Sequence, residues 1–224
     1  MSKNSPKPTL EYEKALWDQG VFDVIGIDEV GRGSWAGPVV AAAVIFDETI
    51  ASKLIQEELS EVKDSKLLSQ AKREALSKII LSTCKRCYIS EVSVEDINQS
   101  GVGESAQKAF IIALEKVLGN KRAHVLIDAF YIKEVPKNVQ TPIIKGDQKS
   151  FSIAAASIIA KVYRDNLMVK LGEGYRQYGF EINKGYGTKS HQLAISKHGL
   201  CKIHRTSFNL SSLLNKELSQ IAPK

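Results

Sequence analysis

Three cysteines among 224 residues are too few for a disulfide framework, and the odd count suits a reducing compartment. Cys84-Lys-Arg-Cys87 has only Cys201 for company, short of a structural zinc set, so all three read as small apolar residues. No apolar run approaches the ~20 residues of a membrane span. The first twenty residues, with Glu11 and Asp18 among them, lack a signal peptide's apolar core. These absences describe a soluble cytoplasmic protein that meets no membrane. G-x-S-x-G and H-E-x-x-H are missing, which disfavours the nucleophilic and zinc hydrolases that carry them. With no internal repeat, low-complexity tract or coiled-coil pattern, a monomer is expected.

What is present is a chain that is 43% hydrophobic, enough for one large domain or one domain with a smaller appendage. Its charge is unevenly placed. From Lys184 onward there are six lysines and one arginine against Glu217 alone, so this segment carries the +6 of the whole protein and residues 1–183 balance to zero. A neutral body with a basic end holding Lys184, Lys189, Lys197, Lys202 and Arg205 suits a reader of phosphate backbones, or is a solvated tail.

Residues 1–8, with Pro6 and Pro8, read as a loose end, and a short helix is expected over 10–19 with Thr9 as its cap. Val24 to Asp28 reads as a strand, and Val39 to Phe46 as a second, antiparallel to it. A helix after Ser69, a strand from Tyr88 to Val94, a helix from Glu104 to Leu118, and strands at Val125–Asp128 and Pro142–Lys145 follow. Gly146-Asp147 then opens a long helix whose Phe151–Ala160 part is small or apolar all round, hence buried against the sheet. Beyond it Lys161, Arg164, Asp165 and Lys170 read as a solvated end, with Lys161 and Asp165 paired. Two further helices are expected over 190–197 and 211–221. The boundaries that follow are an N-terminal extension over 1–20, a mixed α/β core over 21–183 and a helical, basic C-terminal module over 184–224.

The centre of this pattern is Ile25-Gly-Ile-Asp-Glu-Val-Gly-Arg-Gly33, an apolar strand running into two carboxylates and a glycine turn. Strand side chains alternate faces, so Asp28 and Glu29 share a site only if the strand ends there and the backbone swings away. Asp128 closes a strand and Asp147 opens a helix. Alone, the first could be a polar strand end and the second a helix cap. Together, lacking histidine or cysteine companions, the four are hard oxygen ligands suited to Mg²⁺ or Mn²⁺. Two such ions can activate water and stabilise the leaving oxygen of a phosphodiester.

Several short motifs in order resemble the bacterial type 2 ribonucleases H, of the HII kind. They are Asp28-Glu-Val-Gly-Arg-Gly33, Gly37-Pro-Val-Val40, Asp64-Ser-Lys66, Leu126-Ile-Asp128, Lys145-Gly-Asp147, Ala154-Ala-Ala-Ser-Ile-Ile-Ala-Lys161 with Arg164-Asp165, Gly185-Tyr-Gly-Thr188 and His204-Arg-Thr-Ser-Phe208. The resemblance implies an RNase H-like fold with a mixed five-stranded sheet. It implies that Asp28, Glu29, Asp128 and Asp147 are catalytic and bind metal. It implies cleavage of RNA in RNA–DNA hybrids and in DNA containing ribonucleotides, on the 5′ side, leaving 3′-hydroxyl and 5′-phosphate ends. Gly31, Arg32, Gly33 and Tyr186 match the family's readers of the 2′-hydroxyl at the ribo–deoxyribo junction, and Lys66, Lys145 and Lys161 match lysines near the nucleic acid.

His204 and Arg205 could cap a helix or touch a phosphate. Ser34-Trp35 departs from the Pro-Leu of many relatives, which bears on loop packing more than on chemistry. About twenty residues precede the first strand, where the related ribonuclease HIII has an added domain, so type HII is favoured. Two other classes stay open. Gly31-Arg-Gly-Ser-Trp-Ala36 satisfies G-x-G-x-x-A after a strand, but that dinucleotide pattern should open a helix. A non-catalytic hybrid binder would keep the basic module and tolerate loss of an acid, and all four acids are present.

Overall fold

The computed structural model describes residues 7–57, 68–119 and 122–210. Lys66, the Asp64-Ser-Lys66 motif and the helix expected over 211–221 lie outside them. Five strands, β1 (Asp23–Val30), β2 (Val39–Ile45), β3 (Arg86–Val92), β4 (Ala123–Asp128) and β5 (Gln140–Ile143), form one sheet in the order β3-β2-β1-β4-β5. β1, β2 and β3 pair antiparallel, while β4 and β5 run parallel to β1. This is the mixed sheet expected.

Helices cover both faces, which is why β2 is buried throughout. Its Val40, Ala42 and Val44 join a cluster with α5 (Phe151–Gly172), and its Val39, Ala41, Ala43 and Ile45 join one with α4 (Val94–Val117). Small residues let α5 lie hard against β1: a Cβ at Gly26 would fall on the Ser152 backbone. Two shorter helices, α2 (Glu48–Gln56) and α3 (Gln70–Thr83), complete the α5 side, and Ser69 caps α3 by accepting from the Lys72 N–H.

Several boundaries differ from expectation for local reasons. α1 spans Glu11–Trp17 with Leu10, not Thr9, at its cap. Thr9 instead bridges to the start of α5, its N–H donating to the Lys149 carbonyl (2.9 Å) and its carbonyl accepting from Phe151 N–H (3.0 Å). Buried Glu13 accepts from Ser150 Oγ (2.6 Å), Ser152 N–H (2.9 Å) and Ser152 Oγ (2.7 Å), which sets its carboxyl group at the N-terminal end of α5. α4 begins ten residues before the periodic stretch because a break at Gly101 (φ 82°) joins two helical segments of different phase. β5 lies two residues earlier than expected, leaving Ile144–Lys145 to turn toward Asp147.

Beyond α5 come α6 (Phe180–Asn183) and α7 (Lys189–His198). Residues 184–210 pack on the far end of α5 and on the 34–37 loop, through a third cluster that includes Ala36, Met168, Tyr178, Phe180 and Ile195.

Candidate active site

In the parallel pair β1–β4, the last partners are Ile27 and Ile127, so Asp28 and Asp128 occupy the next step of neighbouring strands. Both alternate away from the α4 side, onto the α5 face. β4 stops at Asp128 because Ala129 turns back in the left-handed region (φ 62°), and Asp128 Oδ1 accepts from the Gly146 N–H (2.7 Å). That bond draws in the turn after β5, a short 3-10 segment over Gly146–Gln148 that carries buried Asp147. Asp147 is therefore not the cap of α5. Ser150 is, accepting from the Ile153 N–H.

The strand does not end at Asp28, as the shared site required; β1 continues to Val30 and keeps pairing with β2. Glu29 stays in the acids' field because no β4 residue pairs with β1 beyond Ile27. Burial drives the Asp28 carboxyl well above the usual range, Glu29 adds to this, and Asp128 and Asp147 add further; a Ser157 hydrogen bond from α5 opposes them. Burial raises Glu29 as well, with Asp128 adding and Arg32 opposing through a 3.3 Å ion pair.

Among the described residues, no three His, Cys, Asp or Glu side chains stand close enough to hold an ion as they are placed. Oxygens of Asp28, Asp128 and Glu29 are turned to the N–H groups of Glu29, Gly146 and Arg32. The donor set nevertheless fits a hard divalent cation. Four carboxylates of like charge share one field and carry no nitrogen or sulfur ligand, and a cation would relieve their repulsion.

Beside the acids, Gly31 has φ 95° and its missing Cβ makes room for the Arg164 guanidinium. Arg164 and Arg205, read from sequence as a solvated residue and as a helix cap or phosphate contact, are both fully buried. Arg164 donates to the carbonyls of Pro38 (2.9 Å), Lys184 (3.0 Å) and Ala36 (3.0 Å). Arg205 donates to Gly37 (2.9 and 2.8 Å), Pro38 (3.2 Å) and Arg32 (3.0 Å). Burial lowers both guanidinium pKa values, that of Arg205 to about 9. Planar forks thus satisfy the loop carbonyls from inside the protein. Asp165, also expected at the surface, is buried and bonded to Lys161 at 2.8 Å.

The turn at Gly185-Tyr-Gly187 docks on the same loop. The N–H groups of Trp35 (2.8 Å) and Ala36 (3.2 Å) donate to the Gly185 carbonyl, and the Trp35 ring fills the space a Cβ at Gly187 would need. Tyr186 is half-buried, with Lys161 Nζ 5.3 Å and Arg164 Cζ 5.5 Å from its ring centre. Lys145 is exposed on the Asp147 turn in the left-handed region (φ 57°). The 31–36 turn leads into β2 rather than a helix, so it is no dinucleotide cradle.

Sequence reasoning missed Ser157, Arg164 and Trp35 as supports. Ser157, Lys161 and Arg164 recur at i, i+4 and i+7 on α5, a polar line that begins within the apolar first half of the helix and marks the site-facing side.

Fold and site together define a ribonuclease H-like nuclease. Solved structures share the architecture: the ribonuclease H2 of Pyrococcus horikoshii OT3 aligns over 88% of this chain and 99% of its own with a TM-score of 0.68 and 24% identity. The RNase HII of Archaeoglobus fulgidus, solved with PCNA, aligns over 82% and 94% with a TM-score of 0.66 and 27% identity. The family profile described as Ribonuclease HII matches residues 25–211. The Ribonuclease HII of Thermosynechococcus vestitus is 44% identical over 93% of this chain and 94% of its own, and that of Acholeplasma laidlawii 45% identical over 89% and 93%. The chain belongs to the ribonuclease HII family. It is an endonuclease that hydrolyses the RNA of RNA–DNA hybrids, in a family that depends on a divalent metal. Among the described residues, no helix is long and apolar enough to cross a membrane.

Proposed function

We propose that Asp28, Glu29, Asp128 and Asp147 hold the divalent cations, a pair of Mn²⁺ or Mg²⁺ ions, and that Gly31, Arg32, Gly33 and Tyr186 recognise the ribonucleotide. Incision then falls 5′ of a ribonucleotide embedded in duplex DNA and leaves 3′-hydroxyl and 5′-phosphate ends. The observation that carries this reading is the meeting of two loops beside the acids, joined where Trp35 N–H donates to the Gly185 carbonyl. When bound, the cations supply Lewis acidity and a water of lowered pKa.

The chain's own groups do the positioning. A Cβ at Gly33 would meet nothing within 4 Å, so its backbone is open to an approaching sugar. Tyr186 offers a ring face anchored by two cationic groups, suited to a ribose beside the junction. Arg32, exposed and paired with Glu29, lies over the Phe130 ring at 5.4 Å and sits between acids and loop. Lys145 extends from the Asp147 turn, where an ammonium can meet a phosphate. Roles for Lys66, monomeric and cytoplasmic action, and a part in ribonucleotide excision repair rest on the family resemblance.

The test is an end-labelled DNA duplex containing one ribonucleotide, incubated with Mn²⁺, Mg²⁺ or chelator. Metal-dependent incision 5′ of the ribonucleotide supports the reading; cutting at another bond, or in chelator, contradicts it.

A further inference from the structure

The two loops beside the acids are also joined from below. Residues 203–205 form a bridge with the 35–37 segment: Gly37 N–H donates to the Ile203 carbonyl (2.8 Å) and Arg205 N–H to the Trp35 carbonyl (2.8 Å). Fully buried His191, on α7, belongs to the other loop, and its Nδ1 lies 2.9 Å from the Tyr186 carbonyl. Between them, His204 Nε2 stands 3.0 Å from His191 Nε2.

The neighbours fix where the protons are. Cys201 N–H donates to His204 Nδ1 (2.8 Å), so that nitrogen carries a lone pair and the proton of the neutral ring sits on Nε2. His191 Nε2 must then accept, which leaves its proton on Nδ1, aimed at the Tyr186 carbonyl. Each ring has one donor and one acceptor, and every one is used. Burial, and His191 after it, lowers His204 to about 4, while burial lowers His191, so both rings are neutral near pH 7. The titratable groups facing them are Tyr178, 4.8 Å from the His204 ring, and Cys201, whose Sγ lies 3.0 Å from His204 Nδ1; His198 sits beyond Tyr178, and Arg205 follows in sequence.

We propose that His204 and His191 are positioning residues for ribonucleotide recognition, a proton-ordered N–H···N bond that holds the Tyr186 backbone against the 35–37 segment, which continues the Gly31-Arg32-Gly33 turn. The inference rests on Tyr186 and that turn reading the junction. Neither histidine touches substrate. Their bond sets the separation of two loops that must contact one sugar together, and a misplacement well under an ångström weakens recognition more than chemistry.

The test compares kcat/KM on a one-ribonucleotide duplex with kcat/KM on a uniform RNA–DNA hybrid that has no junction. His204→Asn keeps an acceptor for Cys201 N–H but cannot reach His191; its duplex-to-hybrid ratio is expected to fall about tenfold. His204→Gln places a donor toward His191 and recovers the ratio. In the wild-type protein, ¹⁵N NMR is expected to show coupling across the hydrogen bond between the two Nε2 atoms, whatever the variants do to folding. Absent coupling, equal loss on both substrates in His204→Asn, or a ratio in His204→Gln no better than in His204→Asn overturns the proposal. Tyr186→Ala separates the layers. If it leaves the ratio unchanged, the junction reading fails; if it lowers the ratio while His204→Asn does not, the histidine proposal alone fails.

Discussion

Asp28 and Asp128 occupy equivalent steps on two parallel neighbouring strands, each one residue past the pair Ile27–Ile127. Parallel pairing brings carboxyl ends together, and side-chain alternation puts both acids on the α5 face, where Ser157 reaches Asp28. Burial and the neighbouring acids oppose ionisation of Asp28, an opposition that a bound cation is suited to relieve.

The first expectation follows from that opposition. Asp28→Asn removes a carboxyl whose ionisation burial, Glu29, Asp128 and Asp147 all oppose, so the metal-free variant is expected to melt above the wild type, by roughly 2–4 °C for each kcal/mol relieved. Added Mn²⁺ or Mg²⁺ should raise the wild-type Tm and leave the variant's nearly unchanged. Calorimetry with and without metal checks both; equal metal shifts would remove Asp28 from the cation site.

Gly31 and Gly33 separate structural from functional need. Gly31→Ala places a Cβ at φ 95° and on the Arg164 guanidinium, and is expected to cost about 2 kcal/mol or more. Gly33→Ala meets nothing within 4 Å and should stay within about 0.5 kcal/mol of wild type, while incision at a single ribonucleotide drops. Denaturant unfolding and the duplex assay, run on both variants, distinguish the two.

Arg164→Lys keeps the charge and loses the fork. An ammonium cannot serve the Ala36, Pro38 and Lys184 carbonyls in one plane, so an expected loss of about 2–4 kcal/mol follows. A variant as stable as wild type would show that the three bonds are dispensable.

The histidine pair gives a pH signature with a definite sign. His204 is neutral in the folded protein down to about pH 4, whereas the unfolded chain takes up its proton near the ordinary histidine value of 6.5. In that window the unfolded state binds more protons, so this contribution to stability is full above about pH 6.5 and drains as pH falls toward 4. Between pH 7 and 5 the wild type is expected to lose about 1–2 kcal/mol more than His204→Gln, a difference that cancels the opposite trend of the raised carboxyls. Parallel curves for the two proteins would contradict it.

Much of this was legible in the sequence where the signal is periodic or chemical. The apolar strands, the α5 core stretch and Asp128 at the end of β4 could be placed from their patterns, and the family motifs linked the four acids. What was not legible depended on tertiary partners. Arg164 and Arg205 look like surface cations because sequence cannot show that loop carbonyls await them inside. Asp165 looks exposed because its pairing with Lys161 is compatible with either environment. β1 was read too short, because pairing with β2 carries the strand two residues past Asp28. Trp35, read from sequence as a matter of loop packing, fills the space a Cβ at Gly187 would need.

The most direct test of the central claim uses Asp128→Asn, which keeps the shape of the side chain and an oxygen for the Gly146 N–H while removing one of the carboxylates proposed to bind metal. Binding to a one-ribonucleotide duplex and single-turnover incision in Mg²⁺ and Mn²⁺ are measured on the same preparation. Retained binding with incision lowered by at least about a hundredfold is the expected result. Incision near the wild-type rate would contradict a site built on these four carboxylates.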